Sequence, residues 1–420
     1  MSDFSIRGDT LHAENVPVRN IANDVGTPCY IYSKNALENA WLGFDSAFGD
    51  YPHIVCFAVK ANSNIAVLNT LAKLGSGFDI VSGGELERVI AAGADPKKVF
   101  FSGVAKSREE IAFALEQEVR SINIESPAEL ERIQSVAVEV GKIAPISIRV
   151  NPDVDPQTHP YISTGMDEAK FGITMQDSLH VFKKAQALSN IDIVGIACHI
   201  GSQITSIDPF VDALDRLILL YKTLSEMGIE IKHLDLGGGY GIVYSEENPP
   251  TRKQFIHALL DKLEREGVSL PVSIEPGRSI AGNAGILVTE VNYLKENTNK
   301  NFAIIDAAMN DLMRPSLYNA WHEISSVTTP NSDTKEAVYD IVGPVCETGD
   351  VLGKDRRLAI EAGDLLAIHS AGAYGFTMSS NYNTRPRAVE VLVNDKQWQI
   401  IREREKTKDL FALESIANWK

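Results

Sequence analysis

Between residues 54 and 275 the chain alternates short β-rich apolar runs with longer stretches whose apolar residues recur at helical spacing, and this alternation constrains the fold more than any other feature. Eight runs are readable: Ile54–Val59, Phe78–Val81, Val99–Ser102, Ser121–Ile124, Ile146–Val150, Ile193–His199, Leu234–Leu236 and Val272–Glu275. The segment Asp212–Leu224 shows the helical spacing that separates them. Parallel strands need a crossover connection, usually a helix, so eight such units predict a (β/α)8 barrel over residues 28–285. Beyond residue 285 the texture changes to strand-like pieces such as Phe302–Asp306, Ala337–Val342, Asp364–His369 and Ala388–Val393, punctuated by Gly, Pro, Asn and Asp. That reads as a second, mainly antiparallel β-domain, formed by residues 286–420 with the first 27.

A chain of 420 residues has room for two such domains, and its 44% hydrophobic and 23% charged residues are those of a soluble globular protein. No uncharged apolar run reaches membrane-spanning length, and Met1-Ser-Asp-Phe-Ser lacks the features of a secretory leader, so a cytoplasmic location is expected. A formal charge of -16 argues against binding to nucleic-acid phosphates. Cys29, Cys56, Cys198 and Cys346 form no C-x-x-C pair, which speaks against a disulfide framework or a structural zinc site. The nine histidines are dispersed, and His322-Glu323 lacks a partner at helical spacing, so no metal is expected.

In a barrel of this kind, chemistry belongs at the C-terminal ends of the strands. There the sequence places Lys60, His199, Gly237-Gly-Gly and Glu275-Pro-Gly-Arg278. An amine after apolar strand residues is desolvated, which favours the neutral form that makes imines, although a strand-end lysine by itself more often snorkels to solvent. The Gly237–Gly241 run exposes backbone amides to a phosphate and does not follow the dinucleotide spacing. Barrel phosphate sites draw on the loops after strands seven and eight, and Gly277-Arg278 supplies the second. Lysine, phosphate cradle and the Glu275 carboxylate together propose pyridoxal phosphate, which needs an imine partner, an anchor for its phosphate and a group facing its ring nitrogen. The competing reading of Glu275 is an ion pair with Arg278, and that of His199 is an ordinary core histidine.

The motifs Phe57-Ala-Val-Lys-Ala-Asn62, Phe78-Asp-Ile-Val-Ser-Gly-Gly-Glu-Leu86, Cys198-His-Ile-Gly-Ser-Gln203, Asp235-Leu-Gly-Gly-Gly239, Glu275-Pro-Gly-Arg278, Met313-Arg-Pro-Ser-Leu-Tyr318, Gly343-Pro-Val-Cys-Glu-Thr-Gly-Asp350 and Ala371-Gly-Ala-Tyr-Gly375 span nearly the whole chain. In them the sequence resembles the fold-type III pyridoxal-phosphate enzymes, and within these the diaminopimelate decarboxylase family. The resemblance implies a barrel plus a C-terminal β-domain, as in alanine racemase and ornithine decarboxylase, and decarboxylation of meso-2,6-diaminopimelate to L-lysine and CO2. It implies Lys60 as the Schiff-base lysine, His199 stacked on the cofactor ring, Glu275 at its nitrogen, and Asp79 among the cofactor-binding residues. Phosphate contacts are implied for Ser202, Gly238, Gly239, Gly277, Arg278 and Tyr374, and substrate contacts for Arg278, Arg314, Tyr318, Glu347 and Tyr374. Cys346 is the implied proton donor, and Cys346 and Glu347 are implied to serve the partner's site in a homodimer. Phe57 and Thr348 depart conservatively from the family's usual Tyr and Ser.

Within that scheme Cys346 is a feasible acid, since a free thiol has a pKa of ~8.5 and burial keeps it protonated. Arg278 and Arg314 are expected to grip the distal carboxylate of the substrate as guanidinium forks while Glu347 meets the distal ammonium. Decarboxylation of another basic amino acid or of carboxynorspermidine remains an alternative. So do a racemase, a cofactor-free lysine aldolase and a non-catalytic cofactor-binding protein.

Overall fold

The computed structural model describes residues 3–155 and 170–419. They gather into two compact units: Glu38–Val243 with Glu247–Ile280, and a second made of the residues up to Leu37, Tyr244–Glu246 and those from Ala281 onward.

The first unit is a closed barrel of eight parallel strands, β1 (His53–Ala58), β2 (Gly77–Ile80), β3 (Val99–Phe101), β4 (Ser121–Ile124), β5 (Ala144–Asn151), β6 (Ile191–Ala197), β7 (His233–Asp235) and β8 (Val272–Ile274). Each strand pairs with the next, and β8 pairs with β1, so the barrel has no open edge. The eight apolar runs of the sequence coincide with these strands, shifted by no more than two residues at either end. The informative shift is at β1, which stops at Ala58 because Val59–Ala61 wind into a 3-10 turn that carries Lys60 out of the strand.

Helices cover the barrel by burying one stripe each. The helix Asp208–Glu226 buries Phe210, Leu214, Leu217, Ile218 and Leu224 on one side, and Phe210 meets Phe255 of the helix Arg252–Arg265 edge-on at 4.8 Å. Side-chain caps start these helices where the loops end. Ser107 with Glu110 and Thr251 with Gln254 form reciprocal capping boxes, and Ser82 and Ser126 accept from the third amide of theirs. Part of the barrel interior is polar but satisfied: Ser121 and Ser147 are hydrogen-bonded at 2.8 Å, and Ser147 meets His233 Nε2 at 3.2 Å.

In the second unit one sheet runs in the order Val351–Ala359, Glu336–Val342, Asn301–Ile305, Gly285–Glu296, Cys29–Ser33, Val389–Asn394 and Gln397–Arg402. Its pairings are antiparallel except for Asn301–Ile305 with Glu336–Val342 and Cys29–Ser33 with Val389–Asn394. The long strand Gly285–Glu296 also pairs with Leu365–Ile368. Phe4, Leu11, Val16, Val18 and Ile21 pack with Ile31, Ile286, Val288 and Val391 into one core, so the N-terminal segment belongs to this unit. Among the described residues no helix is long and apolar enough to cross a membrane.

Candidate active site

At the C-terminal ends of the barrel strands lies a cavity of about 440 Å³ whose lining includes Lys60, Arg149, His199, Asp235 and Glu275. Three sequence-predicted residues therefore share one space. A fourth, Asp79 at the end of β2, is fully buried and accepts a hydrogen bond from Lys60 Nζ at 2.8 Å. The Lys60 side chain remains partly accessible, 37% exposed. The 3-10 turn after β1 thus brings Lys60 onto an internal carboxylate rather than letting it snorkel into bulk water.

Glu275 follows β8 and is buried beside Asp235, which ends β7. The two carboxyl groups are close enough to raise each other's proton affinity and to share a hydrogen bond when one of them is protonated. Desolvation, reinforced by the Asp235 and Asp79 charges, pushes Glu275 well above the usual carboxyl range, while Asp235, raised chiefly by desolvation, reaches about 6. Burial of both acids thus favours a proton held within the pair. Asp235 is kept the more acidic of the two by the Gly237 amide at 3.1 Å and the Asn123 amide at 3.2 Å. Glu275 pairs with Asp235 rather than with Arg278, whose Nη2 donates to Ser202 Oγ at 3.0 Å. The Oε1 of Glu275 is buried without a hydrogen-bond partner among the described residues.

His199 follows β6, and its Nδ1 accepts the Gly238 N–H at 3.1 Å, which leaves the ring proton on Nε2. Desolvation and the charges of Arg149 and Lys60 hold the ring well below its ordinary pKa, so it is neutral. The glycine run after β7 is dictated by close packing. A Cβ on Gly238 would lie 2.2 Å from the Glu275 carbonyl oxygen, and one on Gly239, whose φ is +111°, would lie 2.4 Å from that of Gly201. Gln203 stitches the two loops together, donating to Ile242 O at 2.6 Å and accepting the Ile242 amide at 3.2 Å. The backbone at Gly239, with Ser202 and Arg278 of the barrel, is suited to hold an anion. The Gly238 amide, by contrast, is already engaged by His199.

The remaining predicted residues belong to the second unit. Arg314 opens the short helix Arg314–Tyr318 and is 6% exposed, so it is no solvated surface charge. Its guanidinium lies over the Tyr244 ring at 4.6 Å and donates to His322 Nε2 at 2.7 Å, while His322 Nδ1 donates to His369 O at 2.8 Å. Tyr318 is half-buried at the end of that helix. Cys346 and Glu347 sit exposed on a loop organised by Asp350, whose carboxylate accepts the Met309 and Val345 amides at 2.6 and 2.8 Å. The Cys346 amide donates to Asn383 Oδ1 at 3.0 Å. Tyr374 is half-buried, with a positive φ of 55°. The burial expected to keep the Cys346 thiol protonated is not present in the single chain.

Sequence reasoning missed Arg149, Asp235, Asn123 and His322. Arg149 carried the signal that singled out Lys60, a cation near the end of an apolar barrel strand. His322, which lacks a metal-binding partner at helical spacing, instead orients an arginine.

Residues 34–282 match the family described as pyridoxal-dependent decarboxylase, pyridoxal binding domain. The chain belongs to this family, in its diaminopimelate decarboxylase branch. It is 57% identical over 417 residues to the diaminopimelate decarboxylase of Vibrio cholerae, covering 99% of both chains. With that of Haemophilus influenzae it shares 56% over 415 residues, covering 99% of this chain and all of the relative. Among solved structures, the diaminopimelate decarboxylase of M. jannaschii in complex with L-lysine superposes with a TM-score of 0.94 at 37% identity, covering 99% and 98% of the two chains. That of Helicobacter pylori, also complexed with L-lysine, gives 0.91 at 40% identity, covering 94% and 98%.

Proposed function

We propose that this chain uses pyridoxal 5'-phosphate to decarboxylate meso-2,6-diaminopimelate to L-lysine and CO2, the last step of lysine biosynthesis. The observation that carries the reading is the convergence of a partly accessible lysine, a neutral histidine and a buried carboxyl of raised proton affinity on one cavity at the barrel's C-terminal face. These residues fit the cofactor. The buried Oε1 of Glu275 awaits a polar partner such as a ring nitrogen, and the glycine loops have no room for a Cβ. When bound, pyridoxal phosphate supplies an aldehyde that condenses with amines and a ring that accepts an electron pair.

Lys60 offers the amine, and Asp79 holds it by hydrogen bond. Glu275 is proposed to face the ring nitrogen, with its proton affinity raised by burial and by Asp235 beside it. His199 presents a neutral ring whose tautomer is set by Gly238. Gly239, Gly277, Arg278, Ser202 and Tyr374 are proposed to anchor the phosphate, with the Gly238 amide contributing through His199. Arg278, Arg314, Tyr318, Glu347 and Tyr374 are proposed to recognise the substrate. A guanidinium already set by a ring face and a histidine, as Arg314 is, loses little freedom in meeting a carboxylate. Cys346 is proposed to protonate Cα, and the exposure of Cys346 and Glu347 supports their use by a second copy in a homodimer.

The test is CO2 release from diaminopimelate, ornithine, arginine and lysine under one set of conditions. Diaminopimelate is expected to be preferred by orders of magnitude, because ornithine and lysine leave the distal carboxylate site unfilled. Equal or faster turnover of ornithine would overturn the substrate assignment.

A further inference from the structure

Arg149 reaches the cavity from β5, a strand that is otherwise buried and largely apolar. A guanidinium there needs a fixed counter-charge. Glu125, which follows β4, provides it: its Oε1 accepts from Arg149 Nη1 at 2.7 Å, with the two side chains 2% and 10% exposed. The same carboxylate accepts the Gly103 amide at 3.2 Å and the Gly172 amide at 2.8 Å. One side chain thus ties the loops after β3 and β4 to the chain beyond β5.

Glu125 is itself held from behind. Its amide donates to Glu129 Oε2 at 2.7 Å, and Glu129 Oε1 receives Lys106 Nζ at 2.9 Å. Lys106, 2% exposed, spends its remaining protons on Gly103 O at 2.7 Å and Asn123 O at 2.8 Å. Two cations and two carboxylates balance, and Phe171 covers the Arg149 guanidinium at 5.0 Å. Fully satisfied buried networks of this sort hold one geometry. Arg149 and Phe171 line the cavity, whereas Glu125 does not reach it.

We infer that Glu125 is a positioning residue of the candidate active site, clamping Arg149 so that its guanidinium faces the cavity shared with Lys60 and His199. The inference rests on the functional reading above. A cation fixed at that wall favours an anionic group in the cavity, carried by either the cofactor or the amino-acid substrate.

The experiment is a double-mutant cycle of E125Q and R149Q in the full-length chain. It is read on cofactor dissociation by visible absorbance, on kcat and KM, and on apoprotein melting. E125Q is expected to lower cofactor affinity or kcat/KM by about tenfold or more in the wild-type background, as a loose guanidinium would. In the R149Q background it is expected to change either by less than twofold. A loss seen in cofactor affinity assigns the anion to the cofactor, and one confined to KM assigns it to the substrate. Equal losses in both backgrounds, or no loss in the wild type, overturn the inference, since a merely structural Glu125 acts regardless of Arg149. If E125Q does not fold, E125D, which keeps the charge and withdraws it by one methylene, takes its place in the cycle. A wild-type chain that binds the cofactor and releases no CO2 from diaminopimelate counts against the functional reading, and the cycle on cofactor affinity still decides the role of Glu125.

Discussion

Gly238→Ala is the substitution for which the structure makes the sharpest demand. Gly238 does not have a positive φ, so alanine is tolerated by the backbone and the effect is steric alone. Its Cβ would lie 2.2 Å from the Glu275 carbonyl oxygen, against roughly 3.4 Å for ordinary contact, so the two loops must part by about 1 Å. The backbone that moves carries Glu275 on one side and, through the Gly238 amide, His199 on the other. Overpacking of this kind costs about 1–3 kcal/mol of stability. A displacement of about 1 Å at reacting groups costs about 10²-fold in rate. The assay is a cofactor titration by visible absorbance together with kcat/KM for diaminopimelate release of CO2. Gly195→Ala is the control: its Cβ would meet His233 Nε2 at 2.5 Å in the middle of the barrel, away from the lining of the cavity. Both variants are expected to lose stability, and only Gly238→Ala is expected to lose activity per folded molecule. A Gly238→Ala chain within threefold of wild type in cofactor affinity and kcat/KM would refute the claim that these loops set the site geometry.

Lys60→Ala is expected to abolish the cofactor's visible band and borohydride trapping; a band that survives removes Lys60 as the imine partner. Cys346→Ala is expected to lower kcat while sparing that band, and an unchanged kcat removes its role as acid. Mixing the Lys60→Ala and Cys346→Ala chains is expected to restore activity if each site draws on two copies; no recovery speaks against a shared site. His233, buried between Ser147 and Phe100, is held at about 4, chiefly by desolvation. The unfolded chain takes up that proton near pH 6.5 and the folded one near 4, so the contribution to stability is complete above 6.5 and is lost as pH falls between these values, by up to about 3 kcal/mol. Denaturant midpoints of the apoprotein at pH 7 and 4.5 should therefore differ more in wild type than in His233→Gln, and parallel shifts would contradict the assignment.

How much of this was legible in the sequence follows from what each feature depends on. Barrel strands are buried on both faces, so runs such as Ser121–Ile124 announce themselves locally, and the residue after each run is automatically at the functional face. Lys60, His199 and Glu275 were legible for that reason. Pairings between the ends of neighbouring strands were not, because they join residues remote in sequence: Asp235 to Glu275, Glu125 to Arg149, His199 to the amide of Gly238. Glu275 illustrates the consequence. Its sequence neighbour Arg278 made an ion pair the natural competing reading, yet Arg278 turns to Ser202 and the partner of Glu275 is a second acid from the adjacent strand. That exchange changes the chemistry. A glutamate paired with arginine has its carboxylate stabilised in the ionised form, whereas burial beside Asp235 raises the proton affinity of Glu275. Arg314 teaches the same lesson in the second unit. A surface ion pair is the competing reading of Arg314, disfavoured by its motif Met313-Arg-Pro-Ser-Leu-Tyr318, but the direction of its buried guanidinium is set by His322, eight residues on, and by the remote Tyr244. Residue type and strand-end position thus identify which groups are present, while their protonation and direction are decided by neighbours that only the folded chain supplies.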